Sequence, residues 1–243
     1  MSTSESNILN GADSSAIDTA VRALKSDSLV AIPTETVYGL AARASSPNAV
    51  KKIFTIKGRP TEHPLILHIA KSQDLNLWSS ELSNEAHALA EKYWPGPLTL
   101  IVSRNSKVCD EITGGRETVA IRCPSHPITT ELLIRLDDAI VAPSANRFGK
   151  VSPTSARHVA EDFGNDVNVI LDGGECSIGV ESTIVDCTTN PPQILRAGAI
   201  TAEQIEIDCS IAVASASGES RASGMLEKHY APNCTVELAT TLK

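Results

Sequence analysis

The sequence predicts an α/β protein built on a mixed sheet. Three observations carry that prediction. Short runs rich in Val, Ile and Leu recur from about residue 29 to 196. Amphipathic stretches with a 3.6-residue period alternate with them. Gly- and Pro-rich turns punctuate the boundaries.

The elements follow in order. "SSAIDTAVRALKSD" sets Ile17, Ala20, Val21 and Leu24 on one helical face. "SLVAIP" reads as a buried strand, and "PTETVYGLAA" as its polar end followed by small, helix-compatible residues. "PNAVKKIFTIK" is helical, with Pro47 in the first turn. "PLILHIA" is a strand. "LSNEAHALAEKYW" is a helix capped by Ser83, with Ala86, Leu89, Ala90 and Tyr93 aligned, and "PGP" stops it. "LTLIVS" and "TVAIRCP" are strands, residues 127–136 a helix, and "AIVAP" another strand. "SPTSARHVAEDFG" is a helix with Pro153 near its start and Gly164 past its end. "VNVILDGG", "STIVDC" and "PQILRAG" are three short strands, and "TAEQIEI" a last short helix.

Composition narrows the function. The 243 residues are 42% hydrophobic but only 3% aromatic, so the core is aliphatic. The net charge of −8 gives no global footprint for nucleic acid or membrane, which leaves a local basic pocket open. No apolar run is long enough to span a bilayer, and the N-terminus lacks the order of a signal peptide. A cytoplasmic protein is expected. Six irregularly spaced cysteines support neither a disulfide framework nor a zinc site, so they read as reduced structural thiols. From residue 209 the composition turns to Ser, Ala and Gly, as in a linker.

Familiar nucleotide motifs are missing: there is no G-x-x-x-x-G-K-[ST] and no G-x-G-x-x-G. "IKGRPTEHPLILH" concentrates Lys57, Arg59, His63 and His68, which can hold an anion or make a solvated basic loop. His63 and His68 are five apart, unsuited to a shared metal. Arg122 sits between Ile121 and Cys123 in an apolar strand, so it needs a fixed anion. That anion is either a structural carboxylate or a substrate carboxylate. "APSANRFGKVSPT" gathers Ser144, Asn146, Ser152 and Thr154 near a helix start, as oxyanion ligands or as plain caps. "GVESTIVD" brings Glu181, Ser182 and Thr183 to a strand start, without the elbow of a serine nucleophile. Such a site orients polar, anionic ligands and works by positioning and charge.

Taken together, "PTETVYGLAA", "KGRPTEHPLILHI", "WPGPLTLIV", "TVAIRCPSHP", "APSANRFGKVSPT", "GVESTIVD" and "ILRAGAI" closely resemble the YrdC/Sua5 family, the L-threonylcarbamoyladenylate synthases. The similarity runs from about residue 12 to 207, and "SGMLEKHYAP" looks like the linker of the two-domain Sua5 form. The resemblance implies a disordered tail over 1–11, a YrdC-like catalytic domain over 12–208 and a linker or lid over 209–243, without the C-terminal Sua5 domain. It implies a twisted mixed sheet with a large, concave, basic cavity. It implies condensation of L-threonine, bicarbonate or CO2 and ATP into threonylcarbamoyl-AMP and pyrophosphate, with Mg²⁺ accompanying ATP and no metal held by protein side chains. The product would feed the transferase machinery that makes the tRNA modification t6A at position 37, with tRNA contact indirect or weak.

By position, the resemblance puts Thr36 and His68 on threonine, and Arg122 and Ser182 on its carboxylate or hydroxyl end. It puts Lys57, Arg59, His63, Thr118, Ser144, Asn146, Ser152 and Arg196 along ATP. Tyr230 would close over the ligand. The alternative is a non-catalytic RNA-binding or regulatory module of the same fold. Carbamoyl-phosphate chemistry would call for zinc-finger and acylphosphatase segments that this sequence lacks.

Overall fold

The structure is a computed structural model that describes residues 7–70 and 75–216. In chain order the first elements are β1 (Ile8–Asn10), α1 (Ser14–Lys25), β2 (Val30–Ile32), β3 (Gly39–Arg43), α2 (Pro47–Lys57) and β4 (Ile66–His68). A 3-10 turn leads to β5 (Ser79–Glu81), then α3 (Asn84–Tyr93), β6 (Leu98–Arg104), α4 (Asp110–Thr113), β7 (Thr118–Arg122), α5 (Pro127–Leu136) and β8 (Ile140–Val141). The last are α6 (Ala156–Phe163), β9 (Val169–Asp172), β10 (Thr183–Asp186), β11 (Gln193–Arg196), α7 (Ala202–Cys209) and β12 (Ala214–Ser215).

Local chemistry explains the helix boundaries. Ser46, Ser83 and Ser155 each accept a backbone N–H from the first turn of α2, α3 and α6. Gly58 ends α2 in the left-handed region at φ 64°, where a side chain would be strained. Thr201 and Gln204 form a capping box on α7.

Two expectations about the chain's organisation are corrected. The tail does not extend to residue 11, because β1 pairs in parallel with β9. The linker does not begin cleanly at 209, because β12 adds a short parallel strand to β11. A third correction concerns Leu40–Arg43, which are strand and not helix: β3 runs antiparallel to β2. Small residues fit there because β3 is buried between neighbouring strands and layers.

One mixed sheet runs β1-β9-β2-β3-β8-β4-β7-β6-β10-β11-β12, with β5 on the end of β6. Strand alternation sorts its two faces. One face buries Ala31, Leu40, Leu67, Ile121, Leu100 and Val185 in the main core, together with apolar residues of α2, α3 and α6. The opposite face is covered by α1 and α5 only over Val30, Ile32, Ala41, Ile140 and Val169. Further along, over β4, β7, β6 and β10, its apolar residues form just a small cluster: Ile101, Ile184 and Leu195, with Ile66 and Ala120. The candidate site lies on that thinly covered half.

Candidate functional site

The loop between β2 and β3 is held by its own hydroxyl. Thr34 Oγ1 accepts the N–H groups of Thr36 and Val37 at 3.2 Å each, and donates to Val37 O at 2.6 Å. Neighbouring loops then fix it from outside. Tyr38 N donates to Pro153 O, Ala145 N to Tyr38 O, Ile178 N to Glu35 O and Gly179 N to Thr36 O. The Tyr38 hydroxyl donates to Gly174 O at 2.8 Å and accepts Gly173 N at 3.1 Å. Burial pushes its pKa up to about 12, so it stays a neutral tie between loops.

Register then builds the site. His68 pairs with Arg122, Arg122 with Thr99, Thr99 with Ile184, and Ile184 with Arg196. Cross-strand partners share a face, so these five residues form one row across β4, β7, β6, β10 and β11. Leu195 is an extra residue in β11 opposite Ile184, a bulge that turns Arg196. The row and the 34–37 loop wall a pocket that is partly open to solvent. Thr36, Arg59, His68, Arg122, Ser144, Glu181, Ser182 and Arg196 all line it.

Arg122 finds its anion in Glu35. Nη2 and Oε1 are 2.8 Å apart, and both side chains are almost wholly buried. The two atoms are nevertheless out of line, and neither completes a hydrogen bond. Glu35 Oε2 accepts the backbone N–H of Ser125 at 3.2 Å. Burial pulls the Arg122 pKa below its usual value, and Glu35 opposes that. The guanidinium is therefore fixed in place but keeps hydrogen-bonding capacity toward the pocket.

Proton counting gives the polarity of two neighbours. His68 Nδ1 is 3.0 Å from Ile66 O, and a carbonyl can only accept, so Nδ1 carries the proton. Burial first, then Arg122, push the His68 pKa down to about 3. The ring is neutral, with an unprotonated Nε2. Thr34 spends its single O–H on Val37 O, so in its 2.9 Å contact with Thr36 the Thr36 hydroxyl donates. Thr36 and His68 thus both offer lone pairs to a ligand.

The far side of the pocket is a second charged group. Arg196 donates to Glu181, to Ser182 O at 3.0 Å and to Ser182 Oγ at 3.0 Å. Ser182 Oγ also meets Thr99 Oγ1 at 2.8 Å, and Ser152 donates to Glu181 at 2.8 Å. Arg59 donates to the carbonyls of His63 and Pro64 and lies over the Phe148 ring. Burial, the largest effect, brings its pKa down to about 10. Ser152 lines an adjoining recess that shares Val37 and Glu181 with the main pocket.

Some expected site residues stand elsewhere. Lys57 is buried behind the wall, its ammonium donating to Ser144 O at 2.5 Å and to Asn146 O. Asn146 donates to Arg147 O and Lys150 O and braces the loop. His63 packs its ring on Phe148 and is not in the pocket lining. Thr118 shares a face with Arg122 but opens β7, roughly 13 Å along the strand, outside the pocket lining. Tyr230 and the rest of the lid segment after residue 216 fall outside the described residues.

Thr99 is a site residue that sequence reasoning passed over, Glu181 one that it noted without a role, and Glu35 one that it left out of the candidate site. The signal for Glu35 was Arg122 itself, since a buried arginine asks for a carboxylate. Among the described residues no three His, Cys, Asp or Glu are grouped to hold a metal ion. Among the described residues no two cysteines are joined by a disulfide.

Known proteins resemble this chain in sequence and fold. A threonylcarbamoyl-AMP synthase of Pyrococcus abyssi is 49% identical over 219 residues, covering 88% of this chain and 64% of that protein. One of Bacillus subtilis is 42% identical over 225 residues, covering 90% and 65%. The crystal structure of P. abyssi Sua5 complexed with L-threonine matches with a TM-score of 0.84 at 47% identity, over 89% of this chain and 65% of that one. The chain thus spans under two thirds of the length of these relatives. The family model for Sua5, YciO and YrdC, described as telomere recombination, matches residues 22–198, and the chain belongs to that family.

Proposed function

We propose that the chain carries the synthase chemistry: L-threonine, bicarbonate or CO2 and ATP give threonylcarbamoyl-AMP and pyrophosphate. The observation that carries this reading is the row on the sheet. In it His68 stands beside a fixed guanidinium, Arg122, and Thr36 of the adjoining loop lines the same pocket; both His68 and Thr36 have lone pairs to offer. That set complements the N–H donors and the carboxylate of a free amino acid. Ser182 lies within reach of the threonine hydroxyl or carboxylate. Further support comes from the relatives' names and from the threonine complex of P. abyssi Sua5.

Arg59, Arg196, Ser144 and Ser152 are suited to the phosphates, with Asn146 and Lys57 behind them. Thr118 lies further along the same sheet face, beyond apolar Ile66, Ala120 and Ile101, where an extended nucleotide would reach. His63 borders Arg59. Mg²⁺ would arrive with ATP, held chiefly by the phosphates and water, and would offset charge on the leaving pyrophosphate.

The amine adds to CO2 and loses one N–H proton to solvent, giving a carbamate. A carbamate oxygen then attacks the α-phosphorus, and the bond to pyrophosphate breaks. His68, with a pKa near 3, is too weak a base to keep the proton and orients the amine instead. Arginine charge meets the developing pyrophosphate. The product would pass to transferase machinery that modifies tRNA, in the cytoplasm. No helix among the described residues is long and apolar enough to cross a membrane.

The test incubates the chain with threonine, bicarbonate, ATP and Mg²⁺ and follows pyrophosphate. Release should require threonine. Threonine-independent release, or none at high enzyme concentration, overturns the reading. Tight tRNA binding without turnover would instead favour the binding module.

A further inference from the structure

We propose that Lys57 is a positioning residue, which clasps the loop from Ser144 to Phe148 onto the end of α2 and acts on a nucleotide only through that loop. The proposal rests on the ATP-dependent reading above and deepens it.

The last turn of a helix leaves carbonyls without intrahelical partners. At the end of α2 the loop supplies them: Arg147 Nη1 donates to Ile56 O at 2.9 Å, and Phe148 N donates to Lys57 O at 2.8 Å. Lys57 answers in the opposite direction, its ammonium donating to Ser144 O and Asn146 O. Donors and acceptors therefore cross the seam both ways. An ammonium has three N–H groups, and two of them are committed to these carbonyls. Only the third remains, on a side chain that is buried and outside the pocket lining.

The clasp ends at the pocket. Ser144 lines the wall, whereas Lys57 does not. Gly39 bridges to Ser144, so the loop is located by β3 as well as by α2. What Lys57 fixes is thus the distance of Ser144 and its neighbours from the row on the sheet. The threonine end of the pocket, with Thr36, His68 and Arg122, is held by other bonds.

The experiment compares Lys57→Met, Ser144→Ala and the double variant of the full chain. Calorimetry reads ATP and threonine binding separately, and steady-state rates give KM for each. Lys57→Met should weaken ATP binding about tenfold, the scale of one charge-assisted bond, and leave threonine binding unchanged. In the double variant the two losses should combine to less than their product, because both act through one loop. Independent, multiplying losses would mean that Lys57 touches the nucleotide itself. Unchanged ATP affinity, or equal loss of ATP and threonine, also overturns the proposal.

If Lys57→Met does not fold, Arg147→Ala removes the opposite arm from a partly exposed position. It should show the same ATP-selective loss, and an unchanged ATP affinity there overturns the clasp. A wild-type chain that binds no ATP sinks the functional reading instead, so the two failures are told apart.

Discussion

Arg122 and Lys57 are buried to nearly the same depth, 4% and 3% exposed, yet they face opposite ways. Arg122 is backed by a carboxylate that preserves its charge and leaves its fork turned to the pocket. Lys57 is turned inward onto two carbonyls, which take two of its three donors. Burial first, then Arg59, bring the Lys57 pKa down to about 7. Depth alone does not separate a ligand-facing cation from a structural one. The identity of the partner does: a carboxylate balances charge, whereas carbonyls use up hydrogen bonds.

The largest effect should come from breaking the Arg122 side. Arg122→Ala should lower threonine affinity by one to two decades, from about 1.5–3 kcal/mol of charge-assisted bonding. It should also cost about 3–5 kcal/mol of stability, because Glu35 stays buried without its partner. Arg122→Met with Glu35→Gln should recover part of the stability and none of the threonine affinity. Denaturation and calorimetry check both, and recovered threonine binding would place the carboxylate contact elsewhere.

Glu35→Gln alone should have a smaller effect. The carboxylate behind the guanidinium is lost while the fork remains, so threonine binding should weaken by up to about tenfold. ATP binding should not move. An equal loss of both ligands would make Glu35 a general loop strut, like Tyr38.

The third test is pH. The folded pKa of His68 is depressed from 6.5 to about 3. The unfolded chain takes up that proton near 6.5, so unfolding gains a proton below that value. Stability from neutral His68 is therefore complete above pH 6.5 and is lost as pH falls toward 3. His68→Gln should flatten the acid limb of the stability curve over that window. An unchanged slope would mean that His68 is not buried neutral.

The smallest effect belongs far from both cations. Ser83→Ala removes the cap of α3 and should cost about 1 kcal/mol, without changing either ligand affinity. A change in affinity there would show that the sheet transmits strain to the row.

Much of this was readable from the chain. Helix α2 runs from Pro47 to Lys57, as its cap and its terminal glycine indicate. Residues 127–136 are helical as expected. What escaped was decided by tertiary context. Leu40–Arg43 carry no strand propensity of note, and only their pairing with β2 and β8 makes them a strand. The short edge strands β1 and β12 have too few residues to show a period.

For the site, Thr36, Arg59, His68, Arg122, Ser144, Ser182 and Arg196 do converge on one pocket. Lys57 shows the limit of residue type, since nothing in a lysine beside an arginine tells that its ammonium is bonded to Ser144 O and Asn146 O. Glu35 shows the other limit. Its value depends on Arg122, which stands far along the chain, and nothing in "PTET" announces it.

The row across five strands also has a consequence for how the molecule comes into being. Its members lie on strands from β4 to β11, and Glu35 lies earlier still. During synthesis Glu35 emerges well before Arg122, and Thr99 before Ser182. Each would wait, hydrated, for a partner not yet made. Closing such distant pairs is the slow part of folding. The site would therefore form late, as the sheet zips shut, and a nascent chain halted before β11 would carry an open row that lacks Arg196.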